Sequence, residues 1–180
     1  MNLDLSFAHK DHFELFGLPR TFALDRPLLD QLYRDVQARV HPDKYARAGD
    51  ADRRVAMQWA TQVNEAYQTL LDPVKRARYL LHLEGHDPRI ETNTAMPAEF
   101  LIEQMEMREA VAEARAGADV DALEDMHRRV RKDMAARQSE LAQALDVQHD
   151  YPHAGEVVRR LMFDQKLLAE VDAALEAVEA

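Results

Sequence analysis

The chain has 180 residues, 47% of them apolar, which suffices for the core of one larger domain or two small ones. Its net charge of −10 disfavours a protein that coats nucleic acid or an anionic membrane, because phosphate groups would repel it. The charge is uneven: residues 1–90 carry 13 basic and 13 acidic side chains, whereas residues 91–180 carry 10 and 20. The absence of cysteine excludes disulfides, thiolate metal sites and cysteine nucleophiles.

The N-terminus has no basic region followed by an apolar run, and no stretch approaches the ~18 consecutive apolar residues that span a bilayer. We therefore expect a soluble cytoplasmic protein that contacts neither membrane nor nucleic acid. Only five glycines are present, and apolar residues recur at three- and four-residue spacing, which predicts an all-α fold.

Four helices are predicted in the first half of the chain. Asp25 is a candidate N-terminal cap for the second helix, and Asp72 with Pro73 separates the third from the fourth. The second helix has an apolar stripe of Leu28, Leu29, Leu32, Val36 and Val40. The predicted helices span Phe13–Leu18, Pro27–Val40, Ala51–Leu71 and Val74–Leu83.

A connector is predicted after the fourth helix, because the sequence GHDPRIETNTAMP combines one glycine, two prolines and a cluster of polar residues. Beyond it, three long helical patterns cover about 97–115, 119–145 and 153–178, separated by Gly117 and by the sequence Asp150-Tyr151-Pro152. Three such helices can bury their apolar stripes only against one another, which predicts a three-helix bundle. The predicted organisation is one domain over 10–83, a connector over 84–97 and the bundle over 98–180.

The tripeptide His41-Pro42-Asp43 falls on the loop between the second and third helices. The simplest interpretation is a helix stop with a capping aspartate. Its surroundings favour another, since Phe13-Glu14-Leu15-Phe16-Gly17-Leu18-Pro19, Asn64-Glu65-Ala66-Tyr67 and Asp72-Pro73-Val74-Lys75-Arg76-Ala77 occur around it. In this order, these motifs resemble the J-domain of DnaJ-type co-chaperones, a helical hairpin with short flanking helices, over about residues 10–83.

That resemblance implies binding to the ATP state of a DnaK-class chaperone and stimulation of its ATP hydrolysis, so the protein itself would not be an enzyme. Proline fixes the loop backbone, and Asp43 can accept a bidentate, charge-assisted hydrogen bond from a partner arginine. For Arg34 and Arg39, a solvated helix face is the alternative interpretation. The chaperone-binding residues implied are Arg34, Arg39, His41, Pro42, Asp43 and Lys44.

The first bundle helix has two apolar groups. Phe100, Met107, Ala110, Val111 and Ala114 share one arc at 100° per residue, while a second group lies on another side, bordered by carboxylates. Such a helix is either buried on two sides or presents a binding surface, and periodicity leaves both open. In the last helix, Phe163 falls off the core stripe and can complete a patch with the second group. The second group and its border are Leu101, Ile102, Met105, Ala112, Glu106, Glu109 and Glu113.

The segment Phe100-Leu101-Ile102-Glu103-Gln104-Met105-Glu106-Met107-Arg108-Glu109 resembles the HscB co-chaperones of iron–sulfur cluster assembly. The segment Arg76-Ala-Arg-Tyr-Leu-Leu-His-Leu-Glu-Gly85 resembles the stretch that joins their two domains, and the similarity covers about 10–178. It implies a bundle that binds the scaffold protein IscU and a J-domain that delivers it to the chaperone HscA. The implied scaffold-binding residues are Leu101, Ile102, Met105, Glu106, Glu109, Glu113 and Phe163.

Three other functions are considered. A general J-domain adapter would deliver unfolded clients to a DnaK-type chaperone, an enzyme would need a metal held by histidine and carboxylate, and a structural protein would do neither. Three histidine pairs have helical spacing: His9 with His12, His82 with His86, and His149 with His153. Gly85 and Pro152 interrupt two of them and no His-Glu-x-x-His motif occurs, so we expect neither metal nor other cofactor.

Overall fold

The computed structural model describes residues 10–45, 49–86 and 96–179, and within these ranges the chain is helical and contains no strand. The expected all-α fold is therefore confirmed. Contacts divide the chain into two compact units, Met1–Leu80 and Leu81–Ala180. Residues 87–95 of the predicted connector lie outside the described residues, as does His9. None of the helices described is long and apolar enough to cross a membrane.

The first four helices agree with the sequence-based boundaries to within one or two residues. The short helix ends because Gly17 adopts the left-handed conformation, with φ of 67°. Asp25 caps the second helix by accepting from the Leu28 N–H at 3.2 Å, and Asp72 caps the fourth by accepting from the Val74 N–H at 2.8 Å. These helices are α1 (His12–Phe16), α2 (Arg26–Val40), α3 (Asp50–Leu71) and α4 (Pro73–Leu83).

The core of the first unit forms where α1, α2 and α3 contact one another. Leu28 was expected on the core stripe of α2, but its position in the first turn leaves it 43% exposed, so this expectation was wrong. In α3, Val55 is half-buried, and Ala56 is buried beside it. The large buried side chains of this unit are Phe13, Leu15, Phe16, Phe22, Leu29, Val36, Val40, Trp59, Val63, Leu70, Val74 and Leu80.

The second unit contains three long helices, as expected, but two boundaries differ. The second helix continues into one segment of π-helix that ends at His149, whose φ is 55°. The last helix starts two residues before its predicted start at residue 153. Pro152 is tolerated in the first turn of a helix, and Asp150 accepts from the His153 N–H at 3.1 Å. The elements are α5 (Ala98–Ala116), α6 (Val120–Ala142), the π-helical segment (Gln143–Gln148) and α7 (Tyr151–Glu179).

The three helices bury one face each against the others, as a bundle requires. One cluster of buried apolar residues joins all three helices, and Met107, Met126 and Met134 pack against it from its edge. The buried members of the cluster are Val111, Ala114, Leu123, Val130, Leu167, Val171 and Ala174. Phe100 is buried as well, farther toward the start of α5.

Candidate functional site

Two tyrosines join α2 to α3 ahead of the loop. The rings of Tyr33 and Tyr67 stack with centroids 4.1 Å apart. The Tyr33 hydroxyl donates to Asn64 Oδ1 at 2.8 Å and accepts from Gln37 Nε2 at 3.0 Å. The Tyr67 hydroxyl donates to Asp30 at 2.8 Å, and this hydrogen bond raises the pKa of Tyr67. Two residues from the motifs that suggested a J-domain, Asn64 and Tyr67, thus help to hold the hairpin together.

The tripeptide lies where α2 ends. His41 has φ of −57° and ψ of 128°, the extended ψ that a following proline favours, and the chain then forms a 3₁₀ turn over Pro42–Tyr45. The Lys44 N–H donates to the His41 carbonyl at 3.1 Å, and the Tyr45 hydroxyl donates to the Arg39 carbonyl at 3.3 Å. These bonds tie the loop back onto the end of α2.

His41 and Asp43 contact each other in two ways that require different protonation states. The Asp43 N–H donates to His41 Nδ1 at 3.3 Å, which needs an unprotonated Nδ1, while an Asp43 carboxylate oxygen lies 3.5 Å from the same atom. Both contacts hold the His41 ring close to Asp43. The Asp43 side chain is 91% exposed, which leaves its carboxylate free to accept hydrogen bonds from a partner.

The cations expected around this loop are exposed. Arg34 and Arg39 lie on α2 and Lys44 on the 3₁₀ turn. Within the ranges that the structure describes, no carboxylate pairs with any of the three. The hairpin therefore presents positive charge beside the exposed Asp43 carboxylate, although the exposed Asp35 reduces the charge of the same helix.

The second candidate site is the outer side of α5. Ile102 is 55% exposed and Met105 is 61% exposed, while Leu101 is half-buried. Glu106, Glu109 and Glu113 are all exposed, and none forms an ion pair within the described chain. Of the two alternatives left open by the periodicity, burial on two sides is wrong for this unit, and α5 presents an apolar surface with a carboxylate border.

Phe163 lies partly beneath the surface rather than fully on it. Its ring meets the buried Phe100 ring edge-on, with centroids 5.7 Å apart and planes at 89°. The structure therefore brings Phe163 to the residue that precedes Leu101 on α5. The grouping of Phe163 with Ile102 and Met105 into one binding patch stays a prediction.

A buried polar group behind the α5 face was missed by the sequence reasoning. Gln104 and Asp164 are 5% and 3% exposed, and Gln104 Nε2 donates to Asp164 at 3.2 Å. Arg137 of α6 donates through Nε to the other Asp164 oxygen. A signal was available, because Gln104 and Asp164 both fall within about 40° of their helices' apolar stripes at 100° per residue.

Three of the described histidines contact other side chains. His12 stacks on Tyr79 at 4.1 Å, His86 stacks on Tyr151 at 4.7 Å, and His153 Nε2 lies 2.9 Å from Glu140. Among the described residues, no group of three histidine, aspartate or glutamate side chains is arranged to hold a metal ion.

Comparison with known families agrees with this two-unit architecture. The DnaJ domain family matches residues 11–79, and the family described as the HSCB C-terminal oligomerisation domain matches residues 96–172. A protein of Azoarcus sp. (strain BH72), named Co-chaperone protein HscB homolog, is 51% identical over 179 residues and 99% of both chains. The chain belongs to the HscB family of co-chaperones. A Burkholderia thailandensis protein of the same name is 53% identical over 168 residues, 93% of this chain and 95% of its own.

Two solved HscB structures resemble the chain closely. Chaperone HscB from Vibrio cholerae aligns with a TM-score of 0.85 and 39% identity, covering 94% of this chain and 99% of its own. The human co-chaperone protein HscB aligns with a TM-score of 0.85 and 28% identity, covering 92% and 82%. The family resemblance inferred from the motifs is confirmed, and membership of a J-domain co-chaperone family implies a DnaK-type partner.

Proposed function

We propose that this protein acts in iron–sulfur cluster assembly. It binds a folded scaffold protein of the IscU type through α5 and stimulates ATP hydrolysis by a DnaK-class chaperone of the HscA type, in the cytoplasm. The observation that carries the proposal is the presence, on one chain, of exposed His41 and Asp43 side chains in the His-Pro-Asp loop and of an exposed apolar face bordered by carboxylates.

The chaperone side depends on charge and on the shape of the loop. The exposed Asp43 carboxylate accepts a charge-assisted hydrogen bond from a chaperone arginine, and the exposed cations of α2 and the loop attract an acidic surface. The hairpin holds these groups at fixed positions through the tyrosine contacts ahead of the loop. The proposed chaperone-binding residues are Arg34, Arg39, His41, Pro42, Asp43 and Lys44.

The scaffold side depends on apolar area. Exposed side chains at the centre of a binding surface supply most of its affinity, and the surrounding charges select the partner and speed association. Ile102 and Met105 are the exposed large apolar residues of α5, which suits them to the centre of the surface. The proposed scaffold-binding residues are Leu101, Ile102, Met105, Glu106, Glu109, Glu113 and Phe163.

The decisive experiment measures steady-state ATP hydrolysis by the HscA-type chaperone with wild-type protein and with Asp43→Asn. Loss of one charge-assisted hydrogen bond, worth about 1.5–3 kcal/mol, should lower stimulation at least about tenfold. The scaffold affinity of the same variant, measured by calorimetry, should stay within about twofold of wild type because α5 is unchanged.

Asp52→Asn is the matched control, because Asp52 is also an exposed carboxylate, on the first turn of α3. It should stimulate as wild type does. Normal stimulation by Asp43→Asn would contradict the loop mechanism. A wild-type protein that prevents aggregation of an unfolded client yet ignores the folded scaffold would instead be a general adapter. Self-association through the α5 face would show as an oligomer in sedimentation that the scaffold fails to dissociate.

A further inference from the structure

The buried polar group behind the α5 face connects all three helices of the bundle. Gln104 comes from α5, Arg137 from α6 and Asp164 from α7, and the Asp164 carboxylate accepts from both other side chains. Burial raises the pKa of Asp164, while the hydrogen bond from Arg137 opposes this rise. A buried ion pair often adds no net stability over apolar residues of the same size, so a gain in stability does not by itself explain this group.

Polar contacts hold the part of α5 that carries the exposed apolar face. Along α5, all of which the structure describes, Gln104 is the buried side chain between Phe100 and Val111. One turn later, the Arg108 guanidinium lies 3.0 Å from Glu170 of α7 and donates to the Gln104 carbonyl at 3.2 Å. Polar contacts are directional, whereas apolar contacts permit sliding and rotation, so these bonds define the position of the helix.

The same group reaches the aromatic pair next to the face. The Arg137 guanidinium carbon lies 5.5 Å from the centre of the Phe100 ring, within cation–π range. Phe100 in turn meets Phe163, which precedes Asp164 in α7. Asp164 is therefore connected through Arg137 and Phe100 to one proposed scaffold contact, and through Gln104 to the turn that carries Ile102 and Met105.

We propose that Gln104, Arg137 and Asp164 are positioning residues, whose hydrogen bonds fix the rotation of α5 so that its apolar face meets the scaffold in one arrangement. They touch no partner themselves. The part of this inference that concerns the scaffold rests on the proposed function. The part that concerns the rotation of α5 does not, and it is measured on the free protein.

The test replaces the whole group by apolar residues of similar size, in the triple variant Gln104→Met, Arg137→Met and Asp164→Leu. Replacing a complete buried polar group in this way is often neutral or stabilising, so the thermal midpoint should stay at or above that of wild type. Scaffold affinity by calorimetry should fall about tenfold, and amide hydrogen exchange over residues 98–106 should quicken to a similar degree.

Two further variants separate positioning from ordinary packing. Asp164→Asn keeps the size and can still hydrogen-bond both partners once the Gln104 amide turns over, so affinity should return to within about threefold of wild type. Arg129→Met removes the exposed Arg129–Glu103 ion pair, which also involves α5, and should change affinity less than about twofold.

Each outcome decides the proposal. A folded triple variant with wild-type affinity and wild-type exchange would overturn it. If the triple variant does not fold, Gln104→Met alone serves, since it leaves the Arg137–Asp164 pair intact, and wild-type affinity and exchange in that variant would also overturn the proposal. If wild-type protein does not bind the scaffold, the proposed function fails, while hydrogen exchange still supports or refutes the positioning of α5.

Discussion

The two proposed binding regions of this chain differ in the chemistry that they expose. The loop after α2 presents charge: an Asp43 carboxylate that is 91% exposed, with exposed cations at Arg39 and Lys44 nearby in the chain. The face of α5 presents apolar area, with Ile102 and Met105 exposed by more than half. Under the proposed function, we expect charge and hydrogen-bond geometry to determine recognition at the loop, and burial of side chains to determine it at α5. We therefore expect a substitution in one region to leave binding at the other unchanged.

We expect the largest effect on one region alone from a charge placed on the apolar face of α5. Met105→Asp should weaken scaffold binding by about 1.4–2.8 kcal/mol, or roughly 10- to 100-fold, because a carboxylate in the centre of the interface loses its water without gaining a partner. Chaperone stimulation in the absence of scaffold should be unchanged. Calorimetry and steady-state ATP hydrolysis measure the two effects.

Met57→Asp is the matched control, because Met57 of α3 is also 61% exposed. This variant should bind the scaffold as wild type does. Equal losses of scaffold affinity in the two variants would mean that the binding face has been assigned to the wrong helix. Circular dichroism should show wild-type helix content in both, since neither side chain belongs to a core.

Salt should weaken chaperone stimulation more than scaffold binding, although by a smaller factor than Met105→Asp weakens scaffold binding. Raising the salt concentration from 0.1 M to 0.5 M shortens the Debye length from about 10 Å to under about 5 Å, which screens exposed charges. The co-chaperone concentration for half-maximal ATPase stimulation should rise about three- to tenfold, whereas the scaffold dissociation constant should change less than about threefold. Identical salt slopes would show that charge contributes equally to both interfaces.

Most of the fold could be predicted because the helix ends carry local signals. Asp25, Asp72 and Gly17 cap or end helices through contacts with their immediate neighbours, so no distant part of the chain is needed to place them. The π-helical segment after α6 could not be predicted in this way. It departs from the 100° repeat that a helical wheel assumes, and its Ala144 and Leu145 side chains are buried.

The residues of the candidate sites could be chosen from the sequence, but their exposure and their contacts in the folded protein could not. The wheel separated Ile102 and Met105 from the core of α5, and only the folded bundle shows that the described part of α6 and α7 leaves them more than half exposed. Gln104 and Asp164 were missed for the opposite reason. A polar residue within an apolar stripe is usually assigned to the surface, and it is stable in the interior only when a distant partner such as Arg137 completes its hydrogen bonds.

The smallest effect concerns the stability of the unit that carries the loop. Burial against Tyr79 lowers the pKa of His12 in the folded state, although Glu65 and Asp11 act in the other direction. The unfolded chain keeps the ordinary value of about 6.5 and takes up the proton first as the pH falls. Acid therefore favours unfolding, and the stability contributed by neutral His12 is present above this pH and is lost below it.

His12→Phe keeps a ring on Tyr79 and removes this titration. Between pH 7.5 and pH 5.5 its urea midpoint should fall less than that of wild type. The fluorescence of Trp59 measures the change in this unit, because Trp59 is the one tryptophan of the chain and is buried there. His82→Phe makes the same change at an exposed histidine and should keep the wild-type pH dependence. If both variants keep the wild-type pH dependence of the urea midpoint, the proton that destabilises this unit in acid is not taken up at His12.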